Sequence, residues 1–145
     1  MKLVIQRVKK AKCIINNKEH SSIKNGFLIY LGISHNDREE DIKKYVNKVL
    51  NLRVFSDDEG KMNLNIKKVN GEILIISQFT LYANTKKGNR PSFIDAANPN
   101  YANQLYEQMI NEFKKEIRTE SGIFGENMQI ESINDGPVTI ILEDI

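Results

Sequence analysis

Gly26-Phe27-Leu28-Ile29-Tyr30-Leu31-Gly32-Ile33 is a continuous apolar run between glycines. A strand with one wet face alternates polar and apolar residues, and this one does not, so it predicts a buried strand at the centre of a sheet. Upstream, Val4, Gln6 and Val8 alternate with Leu3, Ile5 and Arg7, the pattern of a first strand. Lys12 to Ile15 reads as a second strand that runs into the Asn16-Asn17 turn. Downstream, Asn36 or Asp37 is placed to cap a helix with Glu39, Glu40 and Asp41 in its first turn. The apolar face of that helix is Ile42, Tyr45, Val46, Val49 and Leu50, and it ends near Arg53.

Asp57-Asp58-Glu59-Gly60 is a tight turn that lacks the alternating oxygen ligands and terminal glutamate of a calcium loop, so no metal is assigned to it. Leu64 to Val69 and Glu72 to Ile76 flank Asn70-Gly71, a strong hairpin signal, because both turn residues tolerate positive φ. Asn98-Pro99 opens a long helix with Ala102, Leu105, Tyr106, Met109, Ile110, Phe113 and Ile117 on one face. A loop from Ser121 to Asn127 then leads to two final strands, Met128 to Ile133 and Pro137 to Leu142. Strands first, with helices inserted singly, imply a mixed α/β fold: a largely antiparallel, barrel-like sheet with two main helices.

The chain has 145 residues, 40% of them hydrophobic, enough for one core and too few for two ordinary ones, so residues 1–145 are expected to form a single domain. No stretch approaches the roughly 20 apolar residues of a membrane span, and MKLVIQRV at the start has no signal-peptide core, so a soluble, cytoplasmic protein is expected. The net charge of +2 is too near neutral to argue for nucleic acid by itself. Cys13 is the only cysteine, which excludes an internal disulfide, and its setting in Cys13-Ile14-Ile15 is that of a small buried hydrophobe.

The usual catalytic kits are missing. His20 and His35 stand in polar, loop-like contexts, so serine and cysteine nucleophile schemes lack their base. No His/Cys/Glu ligand spacing suggests zinc, and no metal or cofactor is assigned. What stands out is polar content where a buried strand ends, at Ile75-Ile76-Ser77-Gln78-Phe79-Thr80-Leu81, just before a loop carrying Lys86, Lys87 and Arg90. Strand ends feeding loops are where rigid scaffolds present functional groups; the three close cations could take phosphates, though a solvated charge run is the commoner meaning of such a cluster.

Five blocks follow one another along the chain: Leu3 to Val8; Phe55-Ser56-Asp57 with Gly60 to Leu64; Ser77-Gln78-Phe79-Thr80-Leu81; Arg90-Pro91-Ser92-Phe93; and Asn134-Asp135-Gly136-Pro137-Val138-Thr139. In this order and spacing they resemble the D-aminoacyl-tRNA deacylase family, also called D-tyrosyl-tRNA deacylase, from one end of the chain to the other. The resemblance implies that family's fold and a homodimer with active sites shared between subunits. The reaction it implies cuts the ester between a D-amino acid and the terminal adenosine of tRNA.

It further implies that Ser77, Gln78, Phe79 and Thr80 form the catalytic pocket, with backbone N–H groups near Phe79 and Thr80 as oxyanion donors. Thr80 as a nucleophile is an alternative, weakened by the absence of a base; activation of water by the 2′-hydroxyl of the terminal ribose needs none. By the same resemblance Phe124 and Met128 pack on the terminal adenine, Arg7 fixes the Gly136-Pro137 segment, and Lys86, Lys87 and Arg90 reach phosphates. Gly136-Pro137 is expected to be a cis peptide facing the partner subunit's pocket. There it would reject L-aminoacyl esters and leave room for glycine, including glycine mischarged on tRNA(Ala). The rival readings are a relative that edits glycine or L-amino acids from tRNA, and a non-catalytic RNA-binding module.

Overall fold

The computed structural model describes residues 1–145. One long strand, β1 (Lys2–Ile15), organises the sheet. Along one edge it pairs antiparallel with β2 (Lys18–Ile23) and β3 (Gly26–Gly32), and along the other with β8 (Gln129–Leu142). From β3 the sheet continues by parallel pairing to β6 (Glu72–Ser77) and then to β7 (Thr119–Ser121), giving the order β2-β1-β3-β6-β7. The Ser21 hydroxyl of β2 donates to the Ser121 carbonyl of β7 at 2.8 Å, so the sheet curls until its ends nearly meet. The result is the expected mixed, barrel-like sheet, antiparallel around β1 and parallel through β3, β6 and β7.

The two strands expected within residues 3–15 are this single β1. Leu3 and Ile5, odd-numbered positions of β1, join the large core, whereas Val8, Ala11 and Cys13 belong to a second, smaller core, with Lys9 and Lys10 exposed between Val8 and Ala11. The inward face therefore changes parity, and the pairing with β8 shifts register between Gln6 and Val8 and again between Val8 and Lys10. Such irregularities bend a strand without ending it, which is why the alternation looks interrupted in the sequence.

β3 and β6 are buried on both faces, as a continuous apolar run requires. Phe27, Ile29, Leu31, Ile73 and Ile75 point into the large core, under α1 (Ile42–Asn51) and α2 (Pro99–Lys114). Leu28, Leu74 and Ile76 fill the barrel with Cys13, Val8 and Ile23. Both helices bury the predicted faces; Ile117 lies just past the end of α2 and packs at the edge of the same core. Asn98 caps α2, its side-chain oxygen accepting from the Tyr101 N–H at 3.0 Å. Asp37 does not cap α1. It accepts from the Ser34 N–H at 2.7 Å and pairs with the Met1 α-ammonium, and a 3-10 turn at Glu39–Asp41 leads into the helix instead.

Asn70-Gly71 is a turn, with Asn70 at φ 49°, but not the turn of a hairpin. Residues 65–70 fold back locally, the Asn65 side chain accepting from the Lys68 N–H and the Ile66 carbonyl from the Gly71 N–H, because Ile66 is drawn fully into the core. Met62–Leu64 (β5) pairs with Phe55–Ser56 (β4), and β6 takes β3 as its parallel neighbour. The two final strands expected after Asn127 form one element, β8, and β7 was not foreseen because three residues carry too little pattern. No helix is long and apolar enough to cross a membrane.

Candidate active site

Where β6 ends, the Gln78 N–H still donates to the Leu31 carbonyl at 2.7 Å, and the chain then turns into one 3-10 turn, Phe79–Tyr82. The first bond of that turn runs from the Leu81 N–H to the Gln78 carbonyl. The N–H groups of Phe79 and Thr80 precede it, so the turn itself supplies them no acceptor. They stand at the lip of a cleft of about 590 Å³, within the usual range for small-ligand sites.

Ser77, Gln78 and Phe79 line this cleft together with Phe124 and Met128, and with Phe93 and, at the head of α2, Ala97 and Pro99. The structure thus brings together five of the expected site residues, although Ser77–Phe79 and Phe124–Met128 are 45 or more positions apart in sequence. Thr80 is exposed beside the cleft rather than lining it, and its hydroxyl accepts from the Gln78 side-chain amide at 2.5 Å. An amide donor draws electron density from that oxygen, the opposite of what a general base would do. His20 and His35 are exposed, and neither lines the cleft.

Two residues, one buried behind the cleft and one lining it, were not singled out for a role in the sequence. Tyr106, read there as one more residue on the buried helix face, directs its hydroxyl at the Ile75 carbonyl (3.0 Å) and the Gly122 carbonyl (3.3 Å). It thereby ties the strand that ends in Ser77 to the loop that carries Phe124, whose ring lies 6.1 Å from its own. Burial pushes this phenol far above its ordinary range, so it is a permanent donor. Gly122 makes the close packing possible: a Cβ there would come within 2.4 Å of the Met128 sulfur. The second residue is Phe93, whose ring meets Phe79 edge to face at 5.0 Å.

Arg7, Gly136 and Pro137 lie elsewhere, outside the cleft of their own chain. β8 pairs Thr139 with Gln6 and Asn134 with Val8, so residues 135–138 loop out opposite Arg7. The buried Arg7 guanidinium holds that loop: Nε lies 3.2 Å from both the carbonyl and a carboxylate oxygen of Asp135, and Nη1 donates to the Val54 carbonyl at 2.5 Å. Asn134 closes the loop by accepting from the Val138 N–H at 3.2 Å. The Gly136-Pro137 peptide is cis, Gly136 has φ +124°, and both residues are exposed.

The basic loop is stapled by a pair of bonds between Asn84 and Ser92 (2.8 and 3.0 Å), with Lys86, Lys87 and Arg90 exposed beyond the staple. None of the three forms a salt bridge. Their charge is therefore available to an anionic partner.

The chain resembles known proteins along nearly its whole length. A D-aminoacyl-tRNA deacylase of Cytophaga hutchinsonii is 53% identical over 142 residues, covering 97% of this chain and 95% of that protein. Among solved structures, one described as the c-Myc DNA Unwinding Element Binding Protein superposes with a TM-score of 0.94 at 39% identity, covering 100% of this chain and 99% of that one. A probable eukaryotic D-amino acid tRNA deacylase shares the fold, with a TM-score of 0.81 at 16% identity over 97% of each chain. The family model described as D-Tyr-tRNA(Tyr) deacylase matches residues 4–143, and the chain belongs to that family.

Proposed function

We propose that this protein hydrolyses the ester of D-aminoacyl-tRNA, releasing tRNA and the D-amino acid, and spares L-aminoacyl-tRNA. The observation that carries the reading is the cleft in which Ser77, Gln78 and Phe79 face Phe124 and Met128. An ester is already activated toward water, so the site must hold it, stabilise the developing oxyanion and admit water; it need not make a strong nucleophile. The terminal adenine packs on Phe124 and Met128, an aromatic ring and a polarizable thioether. The ester carbonyl then lies at the Phe79 and Thr80 N–H groups, and the 2′-hydroxyl of the ribose orients the attacking water. Thr80, bound to the Gln78 amide, lines the approach.

Discrimination belongs to Gly136 and Pro137. D and L esters differ only in which way the side chain and hydrogen leave the α-carbon, so rejection needs rigid atoms where the L side chain would go. Arg7 supplies the rigidity by fixing Asp135. Because the segment lies off the cleft of its own chain, this reading requires a homodimer in which each subunit's Gly136-Pro137 completes the other's site. A filter that excludes side chains admits glycine, so glycine mischarged on tRNA(Ala) is a second substrate. The enzyme acts as a single domain in the cytoplasm, with tRNA as its partner and no cofactor.

The test is incubation with matched D-tyrosyl-tRNA, L-tyrosyl-tRNA and glycyl-tRNA(Ala), following ester loss. Rapid loss of the D and glycyl esters with the L ester intact is expected. Binding of tRNA without turnover of any ester would leave a binding module in place of an enzyme, and a monomer with full selectivity would remove the shared site.

A further inference from the structure

The cleft has two aromatic walls, and the proposed function uses only one. On that reading Phe124 and Met128 receive the terminal adenine; the rings of Phe79 and Phe93, which also line the cleft, have no assigned ligand. Phe79 is 56% exposed, an unusual cost for a large apolar ring, and its T-shaped contact with Phe93 at 5.0 Å holds the two rings as one surface. Phe93 directly follows Ser92, which closes the staple to Asn84. Phe93 and the unpaired cations Lys86, Lys87 and Arg90 therefore belong to one strap, which packs on the Phe79 ring.

An aromatic surface contiguous with unpaired cations is the pattern that takes single-stranded RNA, bases on the rings and phosphates on the cations. Resting on the deacylase reading, we infer that Phe93 with Phe79 is a stacking subsite for the nucleotide base preceding the terminal adenosine, its phosphate meeting the strap. A small apolar ligand would not need the cations, and a duplex would not offer an unstacked base to the rings; the unpaired 3′ end of the substrate satisfies both. The subsite thus extends recognition of the ester from one nucleoside to the single-stranded end. Because stacking tolerates any base, it favours no particular amino-acid-specific tRNA.

The test compares a D-tyrosyl ester of adenosine with the same ester on the trinucleotide CCA. Wild-type enzyme should cleave the trinucleotide ester with about tenfold higher kcat/KM, within the range one stacked base confers. Phe93→Leu, which keeps apolar bulk and loses the ring, should abolish that advantage through KM and retain the wild-type melting temperature, with any loss on the adenosine ester much smaller than the loss on the trinucleotide ester. Phe93→Tyr should keep the advantage. Independently of any variant, unesterified CCA should inhibit the wild-type enzyme about tenfold better than adenosine.

Equal inhibition by CCA and adenosine, or an equal loss on both esters in Phe93→Leu, would overturn the subsite while leaving deacylation in place. A wild-type enzyme inert toward all D esters, including the full tRNA, would overturn the deacylase reading and the subsite with it.

Discussion

Replacing Arg7 by Met keeps an unbranched apolar stem in the same place and removes only the guanidinium. Arg7 is 9% exposed and the Val54 residue whose carbonyl it satisfies is 8% exposed, so that carbonyl is left buried without a donor, at a cost of about 1–3 kcal/mol. The bond to the Asp135 carbonyl is charge-assisted and contributes a similar amount, about 1.5–3 kcal/mol. The carboxylate of Asp135 adds less, since its side chain is 28% exposed and Lys9 also approaches it at 3.5 Å. Relief from holding a buried cation offsets part of the total, leaving a net loss of about 2–4 kcal/mol.

At roughly 3 °C per kcal/mol for a chain of this size, the melting temperature should fall by roughly 6–12 °C. Calorimetry measures that, and parallel hydrolysis of D- and L-tyrosyl-tRNA should show the D:L ratio of kcat/KM falling at least about tenfold as the 135–138 loop loses its anchor, a change of about 1.4 kcal/mol. A variant with wild-type melting and an unchanged D:L ratio would show that Arg7 neither holds the loop nor serves selectivity.

Gly136→Ala puts a Cβ at φ +124°, 3.0 Å from Arg7 Nη2 and 2.9 Å from Val138 Cγ2, and should cost about 1–3 kcal/mol. Part of that cost should vanish in the Arg7→Met background, and strict additivity in the double mutant would count against the contact. Thr80→Ala should reduce turnover only a fewfold, whereas removing the 2′-hydroxyl of the terminal adenosine should cost far more; the reverse order in single-turnover rates would make Thr80 the nucleophile. At alkaline pH, Tyr82, raised to about 12 by burial and then by Asp37, stays neutral in the fold while the unfolded chain ionises near its ordinary 10. Tyr106, Tyr30 and Tyr45 are raised in the same direction, burial first, so stability should be complete below about pH 10 and drain away toward pH 12. Denaturant midpoints that stay level across that interval would contradict it.

The sequence made the buried elements plain. The unbroken run at Gly26–Gly32, the helical faces of residues 42–50 and 102–113, and the Asn98 cap are local patterns with one physical solution each. What it concealed depends on partners distant along the chain. Asn70-Gly71 carries hairpin chemistry, yet Ile66 is worth more in the core than in a strand, and β6 gains more from β3 than from residues before it. The parity change between Val8 and Ala11 makes one strand look like two. In the site, Ser77 to Thr80 stood out because polar residues are unexpected at the end of a buried strand. Phe124, Met128 and Arg7 had no such local signal and were named only through family resemblance. Tyr106 passed as packing because a hydroxyl bond has no sequence period, and Phe93 was noted only as part of the Arg90-Pro91-Ser92-Phe93 block, without a role.

The antiparallel seam between β1 and β8 joins residues 2–15 to residues 129–142, so the earliest strand made by the ribosome waits for the last one. Pairings so remote along the chain close slowly, after local helices and neighbouring strands have formed. The residues of the cleft, none beyond position 130, can gather while residues 135–138 are still unanchored, since until the seam brings up Asp135, Arg7 holds only the Val54 carbonyl. On the reading proposed here, hydrolysis is assembled before chirality. A molecule whose filter is not yet anchored is then a hazard to correctly charged tRNA, and a filter supplied by a second subunit would extend that hazard to any finished chain that has not met its partner.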